Sequence, residues 1–419
     1  MDRRWMYKAS LPLNLKLLNM AGRSLRLIGI RGASLRPRNL LKRARRNTNL
    51  NDFGPDDFRE GLDVLCQSLE TEAQLTTFGR LIAQADILHA LENRLKLIHS
   101  FKVNRELSGS PISRPLIITG IHHAGSSLLH DLLAQDPDNR VPLSWEMRYP
   151  FPPPRTETYH SDSRIARVNR ELNNSQRLMP ELKRLYPMGA QRPQECVSIT
   201  AMNLTSMNFG VTYRVPSYNR WLEEHANFRG AYNLHYQFLQ HLQWRHKTER
   251  WVLMSSSHLW HLDAALKRYP DAMVVQIHRD PLKSVCALSN LTYTLRSLAS
   301  NAPDLRDISR HHADLTALGL SRNLAFRQSG KIPAKQILDV HFQDIQDAPL
   351  AVVERIYQHF NLPLSETARE AMESLLQTHD YLQYDRHRYH FMATGLRLEE
   401  ERRRFKPYMD YFKVTQERV

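Results

Sequence analysis

The chain has 419 residues, 42% of them hydrophobic and 24% charged, with a formal net charge of +15. That length and balance describe one main domain with appendages around a large core, and no apolar run approaches the ~18 residues of a membrane-spanning helix. Three widely spaced cysteines, Cys66, Cys196 and Cys286, argue against a disulfide framework and imply a reducing, cytoplasmic setting.

Residues 1–48 carry 13 Lys and Arg against the single acid Asp2, so most of the net charge lies in an N-terminal arm and the rest of the chain is near neutral. The cations are interspersed with Leu11, Leu13, Leu15, Leu17, Leu18, Leu25, Leu27 and Ile28. A basic amphipathic arm fits the anionic surface of a membrane, each cation near the surface contributing about 1 kcal/mol. A solvated basic tail is the plainer account. Peripheral membrane contact is thus an open expectation, and no specific nucleic-acid partner is expected.

From residue 49 the pattern turns helical. Phe58, Leu62, Leu65 and Leu69 recur at helical spacing, Leu75 to Ile82 continue it, and Ile87, Leu88, Leu91, Leu95 and Ile98 mark another helix over 84–104. Residues 49–110 are therefore a helical extension, and an α/β domain over 111–419 follows. Four short apolar runs, 116–119, 251–254, 273–277 and 337–342, alternate with helical stretches, the pattern of a parallel sheet flanked by helices. Residues 295–330 predict a helical insertion able to cover a pocket.

The first apolar run enters Gly120-Ile-His-His-Ala-Gly125-Ser-Ser-Leu-Leu, a glycine-bounded loop that opens a helix. Backbone N–H groups at a helix N-terminus, together with its dipole, suit an anion. Gly120 and Gly125 keep the interval of a phosphate-binding loop, but Gly125-Ser126-Ser127 stands where that loop has its lysine. The fold class is accordingly α/β of the P-loop, nucleotide-kinase-like type. Ligands in such sheets bind beyond the carboxyl ends of the strands. Three ends carry polar residues: His122 to Ser127, Ser255 to His258, and His278-Arg279-Asp280.

With these residues in view, the chain resembles the bacterial sulfotransferases that use 3′-phosphoadenosine 5′-phosphosulfate as sulfuryl donor. The likeness spans most of 49–415 and rests on the loop, Trp145-Glu146, Arg192-Pro-Gln-Glu195, Trp251 to Leu253 with His258, Val275 to Pro281, Asp339 to Asp344 and His387-Arg-Tyr389. It implies that Gly120, His122, His123, Ala124, Gly125, Ser126 and Ser127 bind the phosphosulfate, that Arg279 holds the 3′-phosphate, and that Glu146 takes the acceptor's proton. Arg192 and Glu195 would line the site of a small-molecule, lipid or glycan acceptor, or fix the start of a helix. No metal is required.

The departures fall at the chemistry. His122-His123 replaces a loop Pro-Arg or Pro-Lys, Met254 replaces a lysine at the end of the second strand, and Ala287 replaces a serine, with Ser284 or Ser289 as substitutes. His123 is then a conditional cation that stabilises the leaving phosphate when protonated. Two readings stay open: a sulfotransferase acting on a hydroxyl or amine, or a catalytically silent relative that binds a nucleotide or anion. Of the remaining signals, His122, His123 and His130 lack metal-ligand spacing, His258 and His261 read as a helix-surface or core pair, and Trp145-Glu146 reads equally as a buried tryptophan beside a salt-bridged carboxylate.

Overall fold

The computed structural model describes residues 11–27, 32–180, 182, 188–378 and 391–419. The parts of the basic arm at 1–10 and 28–31, and His387-Arg-Tyr389, lie outside the described residues.

Five parallel strands form one sheet in the order β2-β3-β1-β4-β5. They are β1 (Leu116–Gly120), β2 (Asn139–Arg140), β3 (Arg250–Met254), β4 (Met273–His278) and β5 (Ile337–His341). The central strand β1 pairs with both β3 and β4, bringing Ile117 opposite Leu253 and Val274. Side chains alternate between the two faces of the sheet, each packed in a buried cluster. Ile117, Trp251 and Leu253 join one; Leu116, Ile118, Val252, Met254 and Val275 join the other. A sheet covered on both faces reads as a continuous apolar run, which is why four strands match their predicted spans to within a residue. The two-residue β2 carries no such run and escapes sequence reading.

The N-terminal helices belong to the first of these cores. Helices α1 (Leu13–Leu27), α2 (Pro37–Thr48), α3 (Arg59–Thr71) and α4 (Thr77–Val103) precede the sheet. Thr76 caps α4 by accepting from the Gly79 N–H at 2.9 Å. The two helices expected across 75–104 are one, because Ala83-Gln-Ala85 contains no residue that breaks a helix. The arm is also not a free appendage throughout. Leu35, Leu40 and Ala44 are buried in the same core as Ile117 and Leu253, and Gln84 of α4 donates to the Ser34 carbonyl at 2.7 Å. Residues 35–48 are therefore part of the fold, and the predicted boundary at 48 is not a structural one. Helix α1 differs: Asn19 accepts from the Phe78 N–H at 2.9 Å, while Leu13, Leu17 and Met20 are exposed. Among the described residues no helix is long and apolar enough to cross a membrane.

Candidate active site

Three loops meet where the sheet ends. Thr119 donates to the Ser255 carbonyl at 3.0 Å, the Ser255 N–H donates to the Ile118 carbonyl at 3.2 Å, and the Arg279 guanidinium donates to the His123 carbonyl. The predicted convergence of the loop after β1, the turn after β3 and the residues after β4 is therefore present.

Gly120 is required by close approach, since a Cβ there would stand 2.5 Å from the Ile277 carbonyl oxygen. Gly125 has φ +88° and caps α5 (Ser126–Leu133) with its backbone. Within the loop His123 also takes a left-handed φ, 59°. Left-handed residues just before a helix N-terminus belong to the backbone geometry that turns N–H groups toward an anion. Ser126 and Ser127 open the helix, where the first N–H groups have no acceptor within it. At Gly125 a Cβ would press on the Phe342 and Ile345 side chains, at 3.2 and 3.3 Å, so both glycines let the loop lie close against its neighbours.

Arg279 is 5% exposed, with its guanidinium 3.6 Å from the Phe342 ring centroid. Its fork is bidentate on Glu417, at 2.8 and 2.9 Å. The C-terminal segment that brings Glu417 here is held by Arg402, which pairs with Asp280 at 2.6 Å and donates to the Glu417 carbonyl at 2.8 Å. The Glu417 N–H in turn donates to Asp280 at 2.8 Å. A carboxylate thus occupies the fork that the resemblance reserves for the 3′-phosphate, two anions of like geometry. Nothing in the sequence marked Glu417, which lies 138 residues from Arg279.

The two loop histidines part company. His123 contributes its carbonyl to Arg279, whereas His122 faces a narrow apolar slot of about 30 Å³. Leu222, Trp260, His261, Leu288 and His312 help to line that slot; the His122 and Trp260 ring centroids lie 6.4 Å apart. Burial holds the His122 imidazole down to about 4, so it is neutral at pH 7. Burial also lowers His261, to about 3, and His312. His311 and His312 come from the helix Leu305–Gln328, inside the predicted covering insertion. An adjacent histidine pair there was the available signal, but only the fold joins it to a loop nearly two hundred residues earlier.

Glu146 is not brought to the slot. It is fully buried, pairs with Arg140 at 2.6 Å and accepts from the Leu143 N–H at 3.0 Å. Arg140 itself lies 4.7 Å from the Trp251 ring centroid. These contacts are those of the salt-bridged alternative for the segment. Arg192 pairs with Asp131 of α5, and Glu195 receives the Ser255 and Ser256 hydroxyls, both at 3.4 Å. Burial raises the Glu195 carboxyl above its usual range. Neither lines the slot; their bonds tie α5 and the turn after β3 to the segment that carries them. Their neighbour Gln194 instead lines a larger cleft of about 470 Å³ beside α4. Ser289 spends its hydroxyl on the Val285 carbonyl at 2.6 Å and does not substitute for the serine missing at Ala287. His258 is a core residue, whereas His261 is half-buried at the slot.

A five-stranded parallel sheet with a glycine-bounded loop and a forked arginine at its strand ends defines an α/β fold of the P-loop-like type. The chain belongs to the sulfotransferase family: the profile described as "Sulfotransferase family" matches residues 115–366. Among solved structures it is similar to the sulfotransferase STF1 from Mycobacterium tuberculosis H37Rv, at 31% identity and TM-score 0.78, covering 88% of this chain and 98% of that one. It is likewise similar to STF9 from Mycobacterium avium, at 27% identity and TM-score 0.82, covering 91% and 97%. No curated protein matches in sequence.

Proposed function

We propose that this sulfotransferase moves the sulfuryl group of 3′-phosphoadenosine 5′-phosphosulfate to a hydroxyl or amine on an apolar small-molecule, lipid or glycan acceptor. The observation that carries the reading is the glycine loop after β1, which opens α5 at Ser126 while its His122 faces the apolar slot. Donor and the acceptor's reacting group, all that a slot of about 30 Å³ admits, would then meet across one residue. The N–H groups of Ser126 and Ser127 hold the phosphosulfate, and Arg279 exchanges Glu417 for the 3′-phosphate. The acceptor oxygen or nitrogen attacks sulfur, the bridging S–O bond breaks with its electrons left on the 5′-phosphate, and neutral His122 receives the acceptor's proton. His123 sits at the loop's Arg279 contact, where a protonated ring would offset charge on the departing phosphate.

Calorimetric titration with 3′-phosphoadenosine 5′-phosphate tests the donor site. Binding in wild type and its loss in Arg279→Ala is the expected result; equal binding in both would remove Arg279 from the site. The carboxylate already held by Arg279 favours the silent-relative reading, and binding without turnover of any acceptor would select it.

The setting follows from two further features. All three cysteines are unpaired and buried, as a reducing, cytoplasmic compartment would leave them. Leu13, Leu17 and Met20 lie on one exposed side of α1, with Lys16 and Arg23 on the same helix, a pairing of apolar and cationic groups that suits an anionic membrane surface. Co-sedimentation with anionic vesicles should fall in a Leu13→Ser, Leu17→Ser, Met20→Ser variant. Unchanged binding would exclude α1 as the contact.

A further inference from the structure

Behind the turn after β3 lies a cluster that sulfuryl transfer does not use. Cys196, His235 and His258 each place one ligand-type atom within 4.8 Å of the others, and all three residues are buried. His235 comes from the helix Phe228–Gln243, His258 from the turn Ser256–Leu259, and Cys196 from the residue just before the short helix Val197–Thr200. Each imidazole is already oriented at its far nitrogen. His235 Nδ1 shares a hydrogen bond with the Tyr269 hydroxyl at 2.6 Å, and His258 Nδ1 shares one with the Tyr232 hydroxyl at 2.8 Å. Both Nε2 atoms are buried with no hydrogen-bond partner. Two orphaned ring nitrogens beside one thiol are a costly arrangement unless something fills it.

We propose that Cys196 Sγ and the Nε2 atoms of His235 and His258 bind a thiophilic d10 cation, zinc or cuprous copper. The donor set is one soft thiolate and two imidazoles, each ring fixed from behind by a hydroxyl, as metal-ligating histidines usually are. Metal-free, burial keeps both imidazoles neutral and the Cys196 thiol protonated. Coordination forms the sulfur–metal bond as the S–H bond breaks, and that proton leaves to solvent. Cuprous copper gives a neutral three-coordinate centre suited to a buried position, whereas zinc leaves one positive charge and a fourth position for water. Closing on either ion draws the ligand atoms together by about 1 Å. The Cys196 N–H donates to the Met254 carbonyl at 2.9 Å, so the ion would clamp the turn that presents Ser255 to Ser257.

The test uses the full chain and needs no turnover. Reduced protein is stripped with a chelator, exposed separately to zinc, cobalt and, anaerobically, cuprous ion, then desalted. The expected result is about one zinc or copper per chain by mass spectrometry and a thiolate-to-cobalt charge-transfer band. Affinity should fall at least roughly tenfold in Cys196→Ser and His258→Gln. Retention of copper against excess zinc assigns the cuprous ion, and the reverse assigns zinc. A Cys66→Ser, Cys286→Ser variant should keep the band, which guards against a Cys196 variant that fails to fold. Absence of the band and of bound metal in wild type overturns the site, as does a band that survives Cys196→Ser or disappears with Cys66 and Cys286.

Discussion

Glu146 has two readings in the sequence, an acid–base group or a salt-bridged carboxylate, and its surroundings are those of the second. A carboxylate beside a tryptophan after the loop helix resembles a catalytic base, yet Glu146 is sealed against Arg140 with its side chain 0% exposed. Removing one member of a buried pair strands the other charge, so Glu146→Gln should destabilise the fold by about 3–5 kcal/mol. Denaturant unfolding measures this; wild-type stability with lost turnover would restore the catalytic role. His122 carries the opposite expectation. With its imidazole lowered to about 4 by burial, it stays able to accept a proton well below the usual histidine range near 6.5. The kcat/KM profile should therefore hold level from neutral pH down to about pH 5 and fall only beyond it, while His122→Gln should lower the plateau by about 10²–10⁴-fold. A wild-type profile breaking near 6.5 would point to another base. What was legible at this scale was residue type and loop membership; whether a side chain turns into a slot or into an ion pair depends on partners such as Arg140, Trp260 and His312 that only folding supplies.

At the scale of elements, the strands and the loop after β1 were legible because local rules fix them. Parallel strands buried on both faces are apolar throughout, and a left-handed turn with no room for a Cβ at Gly120 demands glycine. The C-terminal segment obeys no such rule. Its Glu417 closes on Arg279 through contacts that span most of the domain, and a single carboxylate near a chain end carries no periodicity to read. That segment competes with any nucleotide phosphate for one guanidinium. Glu417→Ala should accordingly tighten binding of 3′-phosphoadenosine 5′-phosphate by roughly tenfold, about the 1.4 kcal/mol of a surface-accessible charge-assisted contact. Weaker binding in that variant would mean that the tail shapes the site rather than blocking it.

At the scale of the molecule, the interior is rich in imidazole. Burial lowers His122, His130, His235, His241, His258, His311 and His312 below the ordinary range, several to about 4. A histidine with a depressed pKa in the folded state binds its proton more readily when unfolded, so stability is fully present above the unfolded value near 6.5. It is lost as pH falls from there toward 4, with further loss below the usual aspartate range because Arg327 and His278 hold Asp339 low. Melting temperature should drop steeply between pH 6.5 and pH 4. A flat profile over that interval would show that these rings titrate in the fold as they do in the unfolded chain.

The packing of Leu35, Leu40 and Ala44 against a core that also needs Trp251 and Leu253 has a consequence for the chain as it is made. Helix α2 leaves the ribosome about two hundred residues before β3, the strand that completes its core. At about 5–20 residues per second, that is on the order of 10–40 s during which its apolar face awaits β3. Through that interval the nascent chain is a natural client for holding chaperones, and its vulnerability to aggregation is set by the timing of synthesis more than by the stability of the finished fold.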